Sequence, residues 1–270
     1  RMFAPHRILE RDHWAPLAAT LGFEVIDLGA GIWEGQGDVA SFDGTTILFY
    51  GGRTDRAGLK AALAHFDGEV LVIELRQPAF HGNMALLPLP AADKILVCQD
   101  VIVGDGLDRL AARFGGWRLD PVSEDEIRSY ATNGLPIGDR WLAPSVVPKR
   151  VRDRVAALGM KVVELPMGEL CEKAGGASRC LVCHAPGVLD ALSIPEENRL
   201  AAVRVAAELV DPALDLGPEL ADQALDRPGG RVAERADRVT FDLLGDVEQH
   251  VDFALLGVAL HHALHDAHHP

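Results

Sequence analysis

An α/β chain with a helical carboxy-terminal extension is predicted by two observations. From about residue 20 to 185, short β-rich runs alternate with stretches whose apolar residues recur at helical spacing. Near residue 188 the β-rich runs stop, and the chain becomes rich in Ala, Leu, Glu and Arg. The expected division is an α/β domain over 1–188 and a helical extension over 189–270.

The strands are read in order as "GFEVIDL" (22–28), "TTILFY" (45–50), "EVLVIEL" (69–75), "KILVCQDVIV" (94–103), "DRWLAPSVV" (139–147) and "MKVVELP" (160–166). Each is rich in β-branched and apolar residues and bounded by turn formers. Between them, "DRAGLKAALAHF" (55–66), "GLDRLAARFG" (106–115) and "PKRVRDRVAALG" (148–159) read as amphipathic helices, the last opened by Pro148 and closed by Gly159. In the extension, 195–210 and 247–269 carry helix patterns around a break at "DRPGGR" (226–231). The apolar faces of these helices need burial, so they are expected to pack on the domain or to form a homo-oligomer contact.

A formal net charge of −14 argues against a nucleic-acid surface, which needs clustered Lys and Arg. The longest apolar runs fall short of the roughly 18–20 residues of a membrane-spanning helix, so no membrane partner is expected. The amino terminus lacks the order of a signal peptide, and a cytoplasmic location is expected. Four cysteines (98, 171, 180, 183) at irregular spacing do not form a disulfide framework.

Chemistry concentrates in three stretches. "EKAGGASRCLVCHAP" (172–186) puts Cys180 after a glycine-rich turn, where little side-chain bulk blocks a ligand and aligned N–H groups or a nearby cation favour a thiolate. The alternatives are a small buried hydrophobe, or a zinc or dithiol pair with Cys183, although no second CxxC or well-spaced His pair follows. "WEGQGDVASFDGTTILFYGGRTD" (33–55) places Glu34 and Asp38 on a glycine-punctuated loop and Arg53 on a second one. Paired carboxylates match the donor fork of a guanidinium, and in glycine loops they are also ordinary solvated turn formers. "PAFHGNMALLPL" (78–89) supplies His81 and Asn83, with His81 either structural or a general acid and base beside a thiol. No cofactor or metal is called for. His261, His265 and His269 follow i, i+4, i+8 spacing, which suits a bridged divalent ion or a solvated polar tail.

Taken in order, "EGQGD", "GGRTD", "HGN" and "GGASRCL" resemble the motifs of the guanidine-modifying pentein superfamily, in the branch of dimethylarginine dimethylaminohydrolase, arginine deiminase and the amidinotransferases. "YATNGLPIGD" (130–139) is similar to the family's alanine-x-asparagine segment, and the likeness spans about 14–183. It implies an α/β-propeller of repeated β/α modules, of which three are clear here, without the module that usually precedes the "LGFEVIDL" equivalent.

The resemblance also implies a reaction. Glu34 and Asp38 hold a guanidinium, Cys180 attacks its carbon, and His81 protonates the departing amine and then activates water, giving a ureido product. Transfer to an amine in place of water makes the same site an amidinotransferase. Arg53 is expected on a substrate carboxylate or in a structural salt bridge, and Asn133 on substrate or capping a turn. Asn83 stands where most of the family has aspartate, and an amide supplies no negative charge to a guanidinium edge or to histidine. That substitution implies an altered substrate or reaction, or a non-catalytic binding member.

Overall fold

The computed structural model describes residues 2–20, 23–29 and 31–182. The helices expected in 189–270, the boundary at 188 and Cys183 lie outside those residues. The stretch Arg1–Leu181 packs as one compact unit.

A helix, α1 (Glu10–Thr20), precedes a pattern that occurs three times: an antiparallel strand pair, a helix, and a third strand parallel to the second. The first module is β1 (Val39–Phe42), β2 (Thr45–Tyr50), α2 (Arg56–Leu63) and β3 (Glu69–Glu74). A short helix, α3 (Gly82–Ala85), leads into β4 (Leu86–Leu89), β5 (Lys94–Val97), α4 (Gly106–Phe114) and β6 (Leu119–Pro121). After α5 (Glu124–Arg128) come β7 (Leu135–Ile137), β8 (Arg140–Pro144), α6 (Lys149–Ala157) and β9 (Lys161–Leu165). The described chain ends with α7 (Gly168–Ala174) and a 3₁₀ turn at Ser178–Leu181.

Local chemistry dictates this pattern. Asp43 and Gly44 join β1 to β2 with φ of 48° and 74°, the paired left-handed conformation of a tight hairpin turn that Asp-Gly favours. Parallel pairing of β2 with β3 then requires a crossover, which α2 supplies, and Asp55 caps that helix by accepting the Gly58 N–H at 2.7 Å. Ser123 and Glu126 form a reciprocal capping box that starts α5.

The three sheets share one apolar core. Ile47, Phe49 and Ile73 from the first module meet Leu86, Leu96, Leu110 and Phe114 from the second, and Trp141, Val151 and Val155 from the third. Each fully buried side chain of this kind contributes roughly 1.5–3 kcal/mol. Cys98 and Cys171 are buried free thiols, and burial pushes the Cys98 thiol up to about 11. No helix among the described residues is long and apolar enough to cross a membrane.

Several expectations need correcting. The "GFEVIDL" run contains no strand in its described part, 23–28, and Phe23, Val25 and Ile26 are exposed there. Alternation alone does not make a strand when no neighbouring strand takes up its hydrogen bonds. "KILVCQDVIV" is a strand only over Lys94–Val97, then bends into a 3₁₀ turn at Gln99–Val101. The opening strands β1, β4 and β7 lay hidden in segments read for their chemistry, because three or four residues carry almost no periodicity.

Gly82 shows how tightly the site region is built into the core. A Cβ added there would lie 2.0 Å from the ring of the fully buried Phe49. Gly82→Ala is therefore expected to lower stability by about 2 kcal/mol or more through overpacking, read as a lower midpoint in urea unfolding.

Candidate active site

The loop before β1, the turn before α2, the start of α3 and the Ser178–Leu181 turn bring the motif residues together. Glu34 is 1% exposed at its side chain, and its Oε2 lies 2.8 Å from His81 Nε2 and 3.5 Å from Arg53 Nη1. Its Oε1 accepts the Phe3 N–H at 2.7 Å. Burial pushes the Glu34 carboxyl up, but the His81 and Phe3 hydrogen bonds and the proximity of His81 and Arg53 outweigh this and hold it at about 2.

An ionised carboxylate only accepts hydrogen bonds, so Nε2 of His81 carries the proton and Nδ1 is left to exchange one. The ring is 12% exposed. Gly37 lies under it, and a Cβ there would stand 2.8 Å from Nδ1. The second glycine of "EGQGD" therefore keeps that nitrogen approachable.

Asp38 sits behind the site. The residue is 1% exposed; Oδ2 accepts from Thr54 Oγ1 at 2.7 Å and Oδ1 from Gly82 N–H at 2.8 Å. Burial raises its carboxyl above the ordinary range, against the pull of His81 and of these bonds. Thr54 Oγ1 also accepts the Glu34 N–H at 3.3 Å, so one hydroxyl ties the loop bearing both carboxylates to the "RTD" turn. Arg53, partly exposed, lies 4.4 Å over the Phe80 ring besides its approach to Glu34.

Cys180 is exposed on its 3₁₀ turn, and Asn83 Nδ2 donates to its Sγ at 3.2 Å. Asn83 is 4% exposed, and its Oδ1 is buried without a hydrogen-bond partner among the described residues. Asn83 thus connects the thiol to the first turn of α3, whose N-cap is His81. Asn133 clasps the nucleophile turn: its Oδ1 accepts Ala177 N–H at 3.0 Å, its carbonyl accepts Arg179 N–H at 3.0 Å, and its Nδ2 reaches the Asn83 carbonyl at 3.5 Å. Ser178 Oγ adds a bond to the Leu142 carbonyl of β8 at 2.8 Å. Thr54, Gly37 and Ser178 escape a reading of the sequence for reactive groups, although Thr54 lies inside "GGRTD" and Gly37 inside "EGQGD".

The Glu34–His81 pair also sets an acid limit. A carboxyl held below its ordinary 4.5 contributes stability that is fully present above that value and is lost as pH falls toward 2. Asp38 acts in the opposite sense, its raised carboxyl costing stability as pH rises through 3.8. Glu34→Gln is expected to flatten the fall in unfolding free energy between pH 4.5 and about 2, by on the order of 2 kcal/mol after solvent screening. Urea titrations across that range read the difference.

No family model matches the chain. Among curated proteins, an uncharacterized protein of Caenorhabditis elegans is 26% identical over 156 residues, 56% of this chain and 53% of that protein. The uncharacterized protein YkgA of Bacillus subtilis (strain 168) is 26% identical over 153 residues, covering 56% and 50%. The chain spans about half the length of these relatives. Among solved structures, the product-bound amino-terminal domain of ArgZ, an arginine dihydrolase from the ornithine-ammonia cycle in cyanobacteria, superposes with a TM-score of 0.61 at 24% identity, over 67% of this chain and 66% of that one. AgrE in complex with ornithine and NAD+ gives 0.60 at 22%, over 67% and 27%. DDAH from Pseudomonas aeruginosa, complexed with citrulline, gives 0.52 at 22%, over 66% and 67%. At these identities the likeness carries the fold, an α/β architecture of small sheets shared with guanidine-modifying pentein enzymes.

Proposed function

We propose that this protein is a cysteine-dependent hydrolase of the guanidinium C–N bond of arginine or an N-substituted arginine. The observation that carries the reading is the convergence at α3 of a buried Glu34–His81 pair with an exposed thiol on Asn83. The fold shared with ArgZ and DDAH supports the substrate class.

In this reading the Cys180 thiolate adds to the guanidinium carbon, and His81 gives its proton to the departing nitrogen. Expulsion of the amine leaves a thiouronium on Sγ. His81, now neutral at the exchanging nitrogen, takes a proton from water; the hydroxide adds to the same carbon, and collapse, with loss of the added hydroxyl's proton to the released amine or solvent, gives a ureido product and the thiolate. Glu34 fixes the ring orientation and the Nε2–H tautomer through their hydrogen bond. In place of the expected guanidinium clamp, this reading assigns Glu34 to His81 and the Phe3 N–H and Asp38 to Thr54 and Gly82, the partners their oxygens hold. Asp38 becomes a scaffold for the start of α3.

The buried Oδ1 of Asn83, without a hydrogen-bond partner among the described residues, is the acceptor best placed for a guanidinium N–H, because the same amide contacts Sγ. Asn133 is fully engaged with the nucleophile turn, and its role is to position Cys180. Arg53 keeps the expected role toward a substrate carboxylate, with Phe80 and Glu34 holding it in place. The same reading takes the three modules as consecutive blades of a pentein propeller.

Mass spectrometry of products from arginine, methylated arginines, agmatine and guanidino acids, with and without an acceptor amine, tests the reading. A ureido product or ornithine is expected from at least one arginine derivative. Product only when the amine is present would replace hydrolase with amidinotransferase, and no turnover across the panel would contradict both.

A further inference from the structure

Tyr130 stands where glycine is the ordinary choice. Helix α5 ends in a Schellman arrangement, in which the Tyr130 N–H donates to the Ile127 carbonyl and the Ala131 N–H to the Glu126 carbonyl, both at 3.0 Å. This closure holds Tyr130 at a φ of 64°, in the left-handed region that bulky residues rarely adopt. A large side chain at so strained a position points to a role for that side chain.

Its partner lies 41 residues further along the chain. The Tyr130 ring packs against the core, and its hydroxyl donates to the Cys171 carbonyl of α7 at 2.5 Å. Asn133, in the same turn, holds the other end of the segment 171–179 by accepting the Ala177 and Arg179 N–H groups. Between them, Thr132 donates to the Met84 carbonyl of α3, the helix that His81 caps and that carries Asn83. The turn 130–133 thus grips the approach to Cys180 at both ends and ties it to the element bearing the imidazole. Gly175, at a φ of 67°, and Gly176 lie between the two grips, where the backbone is freest to swing Cys180.

We propose that Tyr130 is a positioning residue for Cys180: its hydroxyl fixes the entry of the glycine-bearing segment as Asn133 fixes its exit, and together they hold Sγ in place beside Asn83. The effect on turnover rests on reading Cys180 as the nucleophile. Displacing a reacting atom lowers the rate, whereas substrate affinity follows contacts made elsewhere, at Asn83 and Arg53 in the proposed reaction.

Hydrogen exchange of the Ala177 and Arg179 amides, resolved by NMR and divided by exchange in the β2–β3 pair, reads the grip without requiring turnover. Tyr130→Phe removes the hydroxyl and keeps the ring. It is expected to raise that ratio roughly tenfold and to lower kcat roughly tenfold or more, with KM within about twofold of wild type. Tyr130→Gly suits the left-handed backbone but lacks the hydroxyl, and the same two changes are expected of it. An unchanged ratio in Tyr130→Phe, including one in which exchange rises uniformly across the domain, would overturn the proposal. A raised ratio at wild-type kcat would make the hydroxyl a tether only and overturn the positioning role. If circular dichroism shows Tyr130→Phe unfolded, Tyr130→Gly decides by the same two readouts. A raised ratio alongside a substrate panel inactive in the wild type would sink the hydrolase reading and leave the grip standing.

Discussion

Cys180→Ala is expected to abolish turnover of guanidino substrates, lowering kcat by roughly 10⁴-fold or more, as removal of a covalent nucleophile does elsewhere. The alternative, direct attack by water on a resonance-stabilised cation, has no second nucleophile to assist it. Binding is expected to survive: the amide of Asn83 remains, and loss of the thiol from an exposed turn leaves the Asn133 and Leu142 contacts intact. Unfolding midpoints within about 1 kcal/mol of wild type are expected for such a surface change. The discriminating pair of measurements is therefore kcat against substrate affinity by calorimetry, with the first collapsing and the second preserved.

His81→Gln is expected to cost roughly 10²–10⁴-fold in kcat, the usual contribution of a positioned acid and base. The glutamine still hydrogen-bonds Glu34 but neither protonates the departing amine nor takes a proton from water. The loss is expected to shrink for substrates whose leaving amine is weakly basic, because such an amine departs with less protonation. A loss independent of the leaving group would assign His81 to positioning alone. In the wild type, Glu34 stays ionised throughout the working range because its carboxyl lies at about 2, so changes in rate near neutrality are expected to follow the groups that exchange protons.

How far the sequence disclosed this site depends on what each residue contacts. Cys180 and His81 were legible because their chemistry is carried by residue type beside glycine: a thiol after "GGASR" and an imidazole before "GN". Asp38 and Asn133 were legible as positions in the candidate site, while their hydrogen-bond partners, 44 residues away in each case, Gly82 for one and Ala177 for the other, were not. A carboxylate that binds substrate and one that braces a helix look identical along the chain. The long strands β2, β3, β8 and β9 and the helices α2, α4 and α6 followed their periodicity to within a few residues. The short hairpin strands did not, because their existence depends on pairing with the strand that follows.

The account stands or falls on a covalent step at Cys180. Acid quenching during steady-state turnover of whichever arginine derivative proves active, followed by peptide mass spectrometry, measures it directly. The predicted result is an added mass on the Cys180 peptide equal to the substrate less its departing amine, absent from Cys180→Ala. Turnover that proceeds without such an adduct and persists in Cys180→Ala would contradict the mechanism at its first step.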